Sequence, residues 1–161
     1  MPEISKNSIR NVKFGENCKI IEPVNLYECT LGNNVFIGPF VEIGKKVTIK
    51  DNTRISSHSF ICPKVEIGKN CFIGHGVMFV NDKFSNNKIN FEEENWLKTT
   101  IGNNVLIGSN ATILPVKICE NVTIGAGSVV TKDISIPGTY TGNPAKFLKL
   151  FKHRFDLRPF R

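Results

Sequence analysis

The chain lacks an apolar run of about 20 residues, the length that a helix needs to cross a bilayer. Its first residues, MPEISKNSIR, lack the apolar stretch of a secretory signal peptide. We therefore expect no membrane span and, as the simplest location, the cytoplasm. The 161 residues, 40% of them hydrophobic, are expected to form one domain, 1–161, with a continuous core.

The chain also lacks cysteines at the CxxC spacing that is typical of metal-binding and redox motifs. Two of its five cysteines, Cys18 and Cys71, fall on small inward positions of the repeat described below. We interpret the cysteines as reduced core or surface residues, and we expect neither a disulfide nor a metal site.

What the sequence has in place of these features is a repeat of six residues. Glycine often follows its aliphatic residue directly, and a small or slim residue comes four positions after it, as at Val35 and Thr53. A period of six fits neither a helix nor a hairpin, and it is typical of a solenoid. The unbroken series of aliphatic or aromatic positions is Leu31, Ile37, Ile43, Ile49, Ile55, Ile61, Ile67, Ile73 and Phe79.

The repeat predicts an all-β fold, a left-handed parallel β-helix. A short strand closed by a glycine-permitted corner turns the chain about once per hexad, so three hexads make one triangular coil. The coils are expected over 12–79 and 101–136, with single-residue deletions before Leu31 and before Ile118.

Outward residues eighteen positions apart should lie above one another on one face of such a helix. One face then shows Phe36, Arg54 and Phe72, and a second shows Glu42, Phe60 and Met78. Large apolar groups on two outer faces predict burial by neighbouring copies, most simply in a closed trimer.

The segment 80–100 abandons the repeat and is expected to protrude as a long loop. It is polar, yet it contains Phe84, Phe91 and the only tryptophan, Trp96. Long loops in compact domains are usually functional, which favours a loop that shapes a ligand site. The alternative is an insertion tolerated at a corner and pinned to the surface by Trp96.

The C-terminal tail, 144–161, is expected to contain a short helix. Phe147, Phe151 and Phe155 recur every four residues, which favours an amphipathic helix that ends before Pro159 and caps the solenoid. Much of the net charge of +7 lies in this tail. The charge suits anionic partners, phosphate-bearing cofactors and nucleic acid alike.

Several runs of the sequence resemble the hexapeptide-repeat acyltransferases, trimeric left-handed β-helix enzymes that use acetyl-coenzyme A. Within that family they resemble most the nucleotide-linked amino-sugar N-acetyltransferases, and the resemblance covers almost the whole chain. The runs are FIGHGVMFVND at 72–82, the loop ending at Trp96, IGNNVLIGSNATIL, and IGAGSVVTKD followed by GNPAK.

The resemblance implies transfer of an acetyl group to a sugar amine, commonly at C3, of a UDP- or dTDP-linked hexose for surface polysaccharide. It implies a homotrimer with sites between subunits, a nucleotide sugar rather than nucleic acid as the anionic partner, and no metal. Asn81 matches the asparagine that binds the sugar near the reacting amine, and Asp82 and Trp96 are further candidates for the substrate site.

In this reaction a neutral amine attacks a thioester. The protein has only to stabilise an oxyanion and to let a proton leave. Backbone N–H groups near Gly108 and Ser109 are candidates for the oxyanion. His75 is the candidate proton acceptor, and His58, a further candidate for the substrate site, is expected near it. Some relatives dispense with a protein base, the departing thiolate taking the proton.

The resemblance also implies a place for coenzyme A, in a groove between subunits along the later coils. There it would meet the backbone of Ala126 and Gly127, its phosphates would approach Lys132 and Lys146, and Pro144 would lie near the adenine. The GNPAK segment is equally a rigid turn that leads the chain out of the solenoid.

Three alternatives stay open. Acetylation of a sugar or serine hydroxyl calls for a clearer general base, because a hydroxyl is less nucleophilic than an amine. A carbonic-anhydrase-like zinc protein of the same fold needs three converging histidines, and the chain offers only His58, His75 and His153. A non-catalytic sugar-binding trimer needs no more than the same surface.

Overall fold

The structure is a computed structural model that describes residues 9–150. Almost all of these residues lie in strands of two to four residues or in the turns between them, and the strands stack into three sheets. All pairings but the last are parallel, because the chain meets each sheet once per coil in the same direction. The all-β parallel β-helix predicted from the repeat is confirmed.

Each sheet collects one strand from each coil. The first sheet contains β1 Ile9–Arg10, β4 Asn25–Tyr27, β7 Glu42–Ile43, β10 Phe60–Ile61, β13 Met78–Phe79, β16 Thr112–Ile113 and β19 Val129–Val130. The second contains β2 Lys13–Phe14, β5 Thr30–Leu31, β8 Thr48–Ile49, β11 Val65–Ile67, β14 Thr99–Ile101 and β17 Lys117–Ile118. The third contains β3 Lys19–Ile20, β6 Phe36–Ile37, β9 Arg54–Ile55, β12 Phe72–Ile73, β15 Leu106–Ile107, β18 Val122–Ile124, β20 Gly138–Thr141 and β21 Lys146–Lys149.

The register of the sheets agrees with the predicted stacks of outward residues. In the third sheet Arg54 pairs with Phe36 on one side and Phe72 on the other, and its guanidinium lies 3.8 Å from the centre of the Phe36 ring. In the first sheet Phe60 pairs with Glu42 and Met78.

The core is the column of repeat residues that the sequence indicated. Each aliphatic or aromatic position from Leu31 to Phe79 is at most 1% exposed. Thr53 and Ser59 take the small positions of their hexads, and their hydroxyls donate to the carbonyls of Gly68 and Gly74. Both of these hydroxyls are thus satisfied within the core.

The three corners of the triangular coil differ in chemistry. The corner between the second and third sheets is a ladder of asparagine amides, joined by hydrogen bonds of 3.0 to 3.2 Å. The corner between the third and first sheets, called here the histidine corner, has left-handed backbone at Phe40, His58, Gly76, Asn110 and Gly127. The corner between the first and second sheets, called here the loop corner, carries the insertion.

The insertion occupies 80–98, between β13 and β14. It contains two turns of 3-10 helix, Ser85–Asn87 and Glu93–Asn95. It is two residues shorter than expected, because Thr99 and Thr100 already pair with Val65 and Glu66 of the second sheet.

The C-terminal tail departs from the prediction where it is described. Lys146–Lys149 is a strand, β21, and not the beginning of a helix; it pairs antiparallel with β20, which has an open edge at the end of the third sheet. Phe147 therefore lies on a strand, and its ring packs edge-on against the Tyr140 ring with the centroids 5.5 Å apart. Phe151 and Phe155 lie outside the described residues. Across 9–150, no helix has the length and apolar character needed to span a membrane.

Candidate functional site

The first candidate site is the histidine corner at the turn between β12 and β13. The His75 side chain is exposed there, and its Nδ1 lies 2.8 Å from Ser57 Oγ in the coil below. Its backbone N–H donates to Ser109 Oγ of the coil above at 3.2 Å, and its carbonyl accepts from the Asn110 N–H at 2.8 Å. Both neighbouring coils therefore hold His75 in place.

The glycines on either side of His75 serve the stacking of the coils. A Cβ at Gly74 would lie 2.7 Å from the Ser109 nitrogen, and one at Gly76 would lie 2.4 Å from Asn110 Oδ1. Gly76 also has a φ of +63°, which side-chain-bearing residues rarely adopt. At Gly74 the backbone of the coil above therefore leaves room for glycine alone at this separation of the coils.

His58 lies one coil below, at the same corner. Its backbone has the left-handed φ that Gly76 has above it, as the repeat predicts. Its ring stacks on Phe40 with centroids 4.8 Å apart, and it contacts His75 through no hydrogen bond in the described region. Ser57, not His58, is therefore the hydrogen-bond partner of the His75 side chain.

The upper coils of the same corner contain the backbone expected to meet coenzyme A and the oxyanion. The Gly108 N–H donates to the Ile124 carbonyl at 2.8 Å, so it is already used by the solenoid. Within residues 9–150 the N–H groups of Ser109 and Ala126 have no hydrogen-bond partner. Ala126 and Gly127 are exposed, and a Cβ at Gly127 would meet nothing.

The exit turn of the solenoid lies beside these coils. The Val129 N–H donates to the Gly142 carbonyl at 3.0 Å, and the Ala145 N–H donates to the Val129 carbonyl at 2.8 Å. Pro144 in this turn, Lys146 at the start of β21 and Lys132 in the bend that follows β19 are all exposed. Neither lysine forms an ion pair with another described residue.

The second candidate site is a groove of about 520 Å³ between the loop and the first sheet. Its walls are mostly apolar, as in many small-molecule sites. Asn81 and Asp82 line it where β13 ends, which brings together two of the residues that the resemblance singled out. The apolar walls are Phe60, Met78, Phe84, Ile89 and Phe91.

Asp82 orders the loop around this groove. Its carboxylate accepts from the backbone N–H groups of Phe84 and Asn90, both at 2.8 Å, and from the Asn90 side chain at 2.9 Å. These donors, the Asn90 N–H first, lower the pKa of Asp82. The Asn81 side chain, by contrast, forms no hydrogen bond within the described chain, so its amide is available to a ligand.

Trp96 also lies on the groove and is half-buried. Its indole N–H donates to the Asn90 carbonyl at 2.8 Å, and the Lys45 ammonium lies 5.5 Å from the ring centre. The tryptophan therefore fastens the end of the loop to its middle.

Two features of these sites were missed from the sequence. The contact of Ser57 with His75 leaves a signal in the sequence, because Ser57 precedes His75 by eighteen residues and therefore lies in the same stack. The ion pairs of Glu93 with Lys45 and Lys46 leave no such signal in the sequence, since Glu93 belongs to the non-repetitive loop. For metals, the part of the chain from 9 to 150 contains no group of three His, Cys, Asp or Glu that is able to hold an ion, and His153 lies outside it.

Comparison with known sequences identifies the repeat. The family described as "Bacterial transferase hexapeptide (six repeats)" matches residues 28–63 and 47–81, and "Hexapeptide repeat of succinyl-transferase" matches 98–132. The Bifunctional protein GlmU of Buchnera aphidicola is 39% identical over 131 residues, which is 80% of this chain and 26% of that protein. The chain thus spans about a quarter of the length of these curated relatives.

Comparison with solved structures finds the same fold with ligands. An aspartate-to-alanine variant of AntD, an N-acyltransferase from Bacillus cereus, in complex with dTDP and coenzyme A, is 25% identical with a TM-score of 0.77, over 87% of this chain and 84% of that one. PerB from Caulobacter crescentus, in complex with CoA and GDP-perosamine, is 19% identical with a TM-score of 0.64, over 89% and 58%. The likeness to PerB shows the fold alone.

Proposed function

Because the chain belongs to the bacterial hexapeptide-repeat transferases, we propose that it transfers an acyl group, acetyl in the simplest case, from acyl-coenzyme A to an amine. The acceptor in this proposal is the amino group, at C3, of a dTDP- or UDP-linked amino sugar. The observation that carries the proposal is the exposed His75 imidazole, oriented by Ser57 and flanked by backbone N–H groups of the upper coils. The likeness to AntD, in complex with dTDP and coenzyme A, supports this choice of ligands.

In the proposed reaction the amine nitrogen attacks the thioester carbonyl carbon, a C–N bond forms, and the C–S bond then breaks. When His75 Nδ1–H donates to Ser57 Oγ, the Nε2 lone pair faces solvent and accepts the proton that the amine loses. The unpartnered N–H groups of Ser109 and Ala126 are the proposed donors to the oxyanion. The thiolate of coenzyme A leaves.

The proposal divides the two substrates between the two candidate sites. The groove at the loop corner, with the Asn81 amide on its rim, takes the sugar; Asp82 acts by ordering the loop. Ala126 and Gly127 take the pantetheine arm, and Lys132 and Lys146 take the phosphates beside Pro144. Exposed lysines without ion pairs suit a phosphate-bearing ligand.

We further propose that the working form is a cytoplasmic homotrimer with its sites between subunits. The outer stacks of Phe36, Arg54 and Phe72, and of Phe60 and Met78, are the kind of aromatic, arginine and methionine surface that is enriched in interfaces. In such a trimer a second subunit would bring its histidine corner toward the groove of the first. One substrate would then contact the groove of one chain and the histidine corner of another.

The experiment is to incubate the purified protein with acetyl-coenzyme A and a panel of dTDP- and UDP-linked 3-amino and 4-amino sugars, following release of free thiol. Matched sugars with a hydroxyl in place of the amine are the controls. Rapid turnover on one 3-amino sugar is expected. Thiol release on none of the amino sugars would contradict the proposal.

A second candidate, O-acetylation of a sugar hydroxyl, is favoured by the same Ser57–His75 contact. A hydroxyl needs a base to attack a thioester, and an imidazole held at one nitrogen is suited to that task. In the panel above, turnover on the hydroxyl sugars that exceeds turnover on the amino sugars would establish this second function.

A further inference from the structure

The loop is clamped to the solenoid by lysines of the two coils beneath it. Lys64 stands at the loop corner, and its ammonium donates to the backbone carbonyls of Glu93 at 2.6 Å and Trp96 at 3.0 Å. A third, longer contact reaches the Glu94 carbonyl at 3.4 Å. The ammonium has three donors for these carbonyls, and it shares the Glu93 carbonyl with the Trp96 N–H, which donates to it at 3.1 Å.

The same turn is held a second time through its side chain. Lys45 and Lys46, one coil below Lys64, both form ion pairs with the Glu93 carboxylate. The Lys45 ammonium also lies 5.5 Å from the centre of the Trp96 ring. We call these four residues, Lys45, Lys46, Lys64 and Glu93, the latch.

The latch is linked to the groove by a short chain of hydrogen bonds. Trp96, whose carbonyl Lys64 holds, donates its indole N–H to the Asn90 carbonyl at 2.8 Å. Asn90 in turn binds the Asp82 carboxylate, next to Asn81. The following residue, Leu97, donates its N–H to the Asn81 carbonyl at 2.9 Å. The latch therefore fixes the wall of the groove opposite the first sheet.

Resting on the proposed function, we infer that Lys64 is a positioning residue for the sugar substrate. It contacts no reacting atom, and it acts through Trp96 on the wall that faces Met78 and Phe60. Without the latch the loop loses its fixed shape, so the binding free energy of the sugar would have to order the loop first. Binding of acyl-coenzyme A, whose proposed site lies on the upper coils, would not require this ordering of the loop.

The test compares Lys64→Met and Glu93→Gln with a matched control, Lys98→Met. Methionine keeps an unbranched chain as far as Cε and removes the ammonium. Glu93→Gln removes the carboxylate charge that Lys45 and Lys46 hold. Lys98, the last residue of the loop, is paired with Glu66 of the second sheet at 2.7 Å and makes no latch contact, so the control removes the same charge.

Two readouts are measured for each variant. The first is acrylamide quenching of Trp96, the only tryptophan, which reports the loop without any substrate. The second is the set of steady-state constants on the amino sugar that turns over. Both latch variants should raise quenching and raise the KM of the sugar about tenfold, as expected for lost hydrogen bonds to a charged group, with kcat and the KM of acetyl-coenzyme A within about twofold.

The outcomes separate the inference from the proposed function. Unchanged quenching in both latch variants would overturn the latch, and raised quenching with an unchanged KM of the sugar would overturn the positioning role. An equal rise in KM for Lys98→Met would attribute the effect to net charge and also overturn it. If the unaltered protein turns over no sugar, the proposed function and the positioning role fail together, while quenching still decides whether the latch exists.

Discussion

The histidine corner and the loop corner solve the same problem, that of holding a side chain at a turn of the solenoid, by different means. At the histidine corner the coils above and below position His75 through short hydrogen bonds, and glycine lets them approach. At the loop corner the chain has left the repeat, and ion pairs and carbonyl contacts from Lys64 and its neighbours hold it. Stacking of the coils holds the first site in place, whereas the second site depends on the contacts of the latch residues.

This difference between the corners suits two different roles, a group that takes part in the reaction and a wall that binds a substrate. A reacting group must keep its geometry through the chemical step, which favours placing it on a regular element. A binding wall gains from a segment that varies without disturbing the core, which is what an insertion at a corner provides. The comparison predicts that changes at the histidine corner affect chemistry and stability, and that changes at the loop corner affect binding.

The largest effect is expected from His75→Ala. Removal of a general base typically costs about 100-fold or more in kcat, and the KM of the sugar should change little because the groove is intact. Steady-state kinetics check this, with His58→Ala as the control at the same corner, where the ring stacks on Phe40 instead. If His75→Ala keeps its kcat, the proton leaves with the thiolate, and His75 is not the base.

The second effect is on stability, at the glycine beside His75. Gly74→Ala places a Cβ 2.7 Å from the Ser109 nitrogen and 2.8 Å from the Ile107 carbonyl oxygen, both backbone atoms of the coil above, and we expect it to destabilise the fold by about 3 kcal/mol. Gly127→Ala is the matched control, with a φ of +67° and open space around the new Cβ, and it should cost about 1 kcal/mol. Denaturant unfolding measures both, and equal losses would show that stacking of the coils does not limit this corner.

The two corners also differ in how far the sequence predicted them. The period of six fixes which residues stack, so the core, the outer face of Phe36, Arg54 and Phe72, and the level of His58 relative to Gly76 were all predictable. The contact of Ser57 with His75 was predictable by the same count of eighteen residues.

The loop and the tail were not predictable in this way, and the physical reason is the same for both. Glu93 has no periodic relation to Lys45 or Lys64, so their contact depends on the path of the loop. Phe147 repeats every four residues with its neighbours, but the open edge of β20 offers backbone hydrogen bonds that a helix in the same place would leave unused. Tertiary context therefore decided both segments.

A smaller effect is expected inside the loop, from Asp82→Asn. The amide has one acceptor where the carboxylate has two, so it is unable to hold the Phe84 and Asn90 N–H groups in the same manner. We expect raised quenching of Trp96 and a higher KM of the sugar, with the free energy of unfolding unchanged because the core is untouched. A fall in kcat with an unaltered KM would instead make Asp82 part of the chemistry.

The smallest effect is the response of the latch to acid. Lys45 first, and then Lys46, lower the pKa of Glu93 to about 2 from its ordinary value of 4.5. Because the folded pKa is the lower one, the contribution of Glu93 is fully present above pH 4.5 and is lost as the pH falls toward 2. Trp96 quenching should therefore stay flat from neutral pH to 4.5 and rise only below it.

Asp82 also titrates in acid, so the response of the loop is assigned to Glu93 by difference. The donors at Asp82 lower the pKa of that carboxyl too. Glu93→Gln should begin with raised quenching and show a smaller further rise, with circular dichroism marking the pH at which the solenoid itself unfolds. A rise between neutral pH and 4.5 in the unaltered protein would mean that some other group closes the latch, and the contrast between a stacked corner and a charge-held corner would then be wrong.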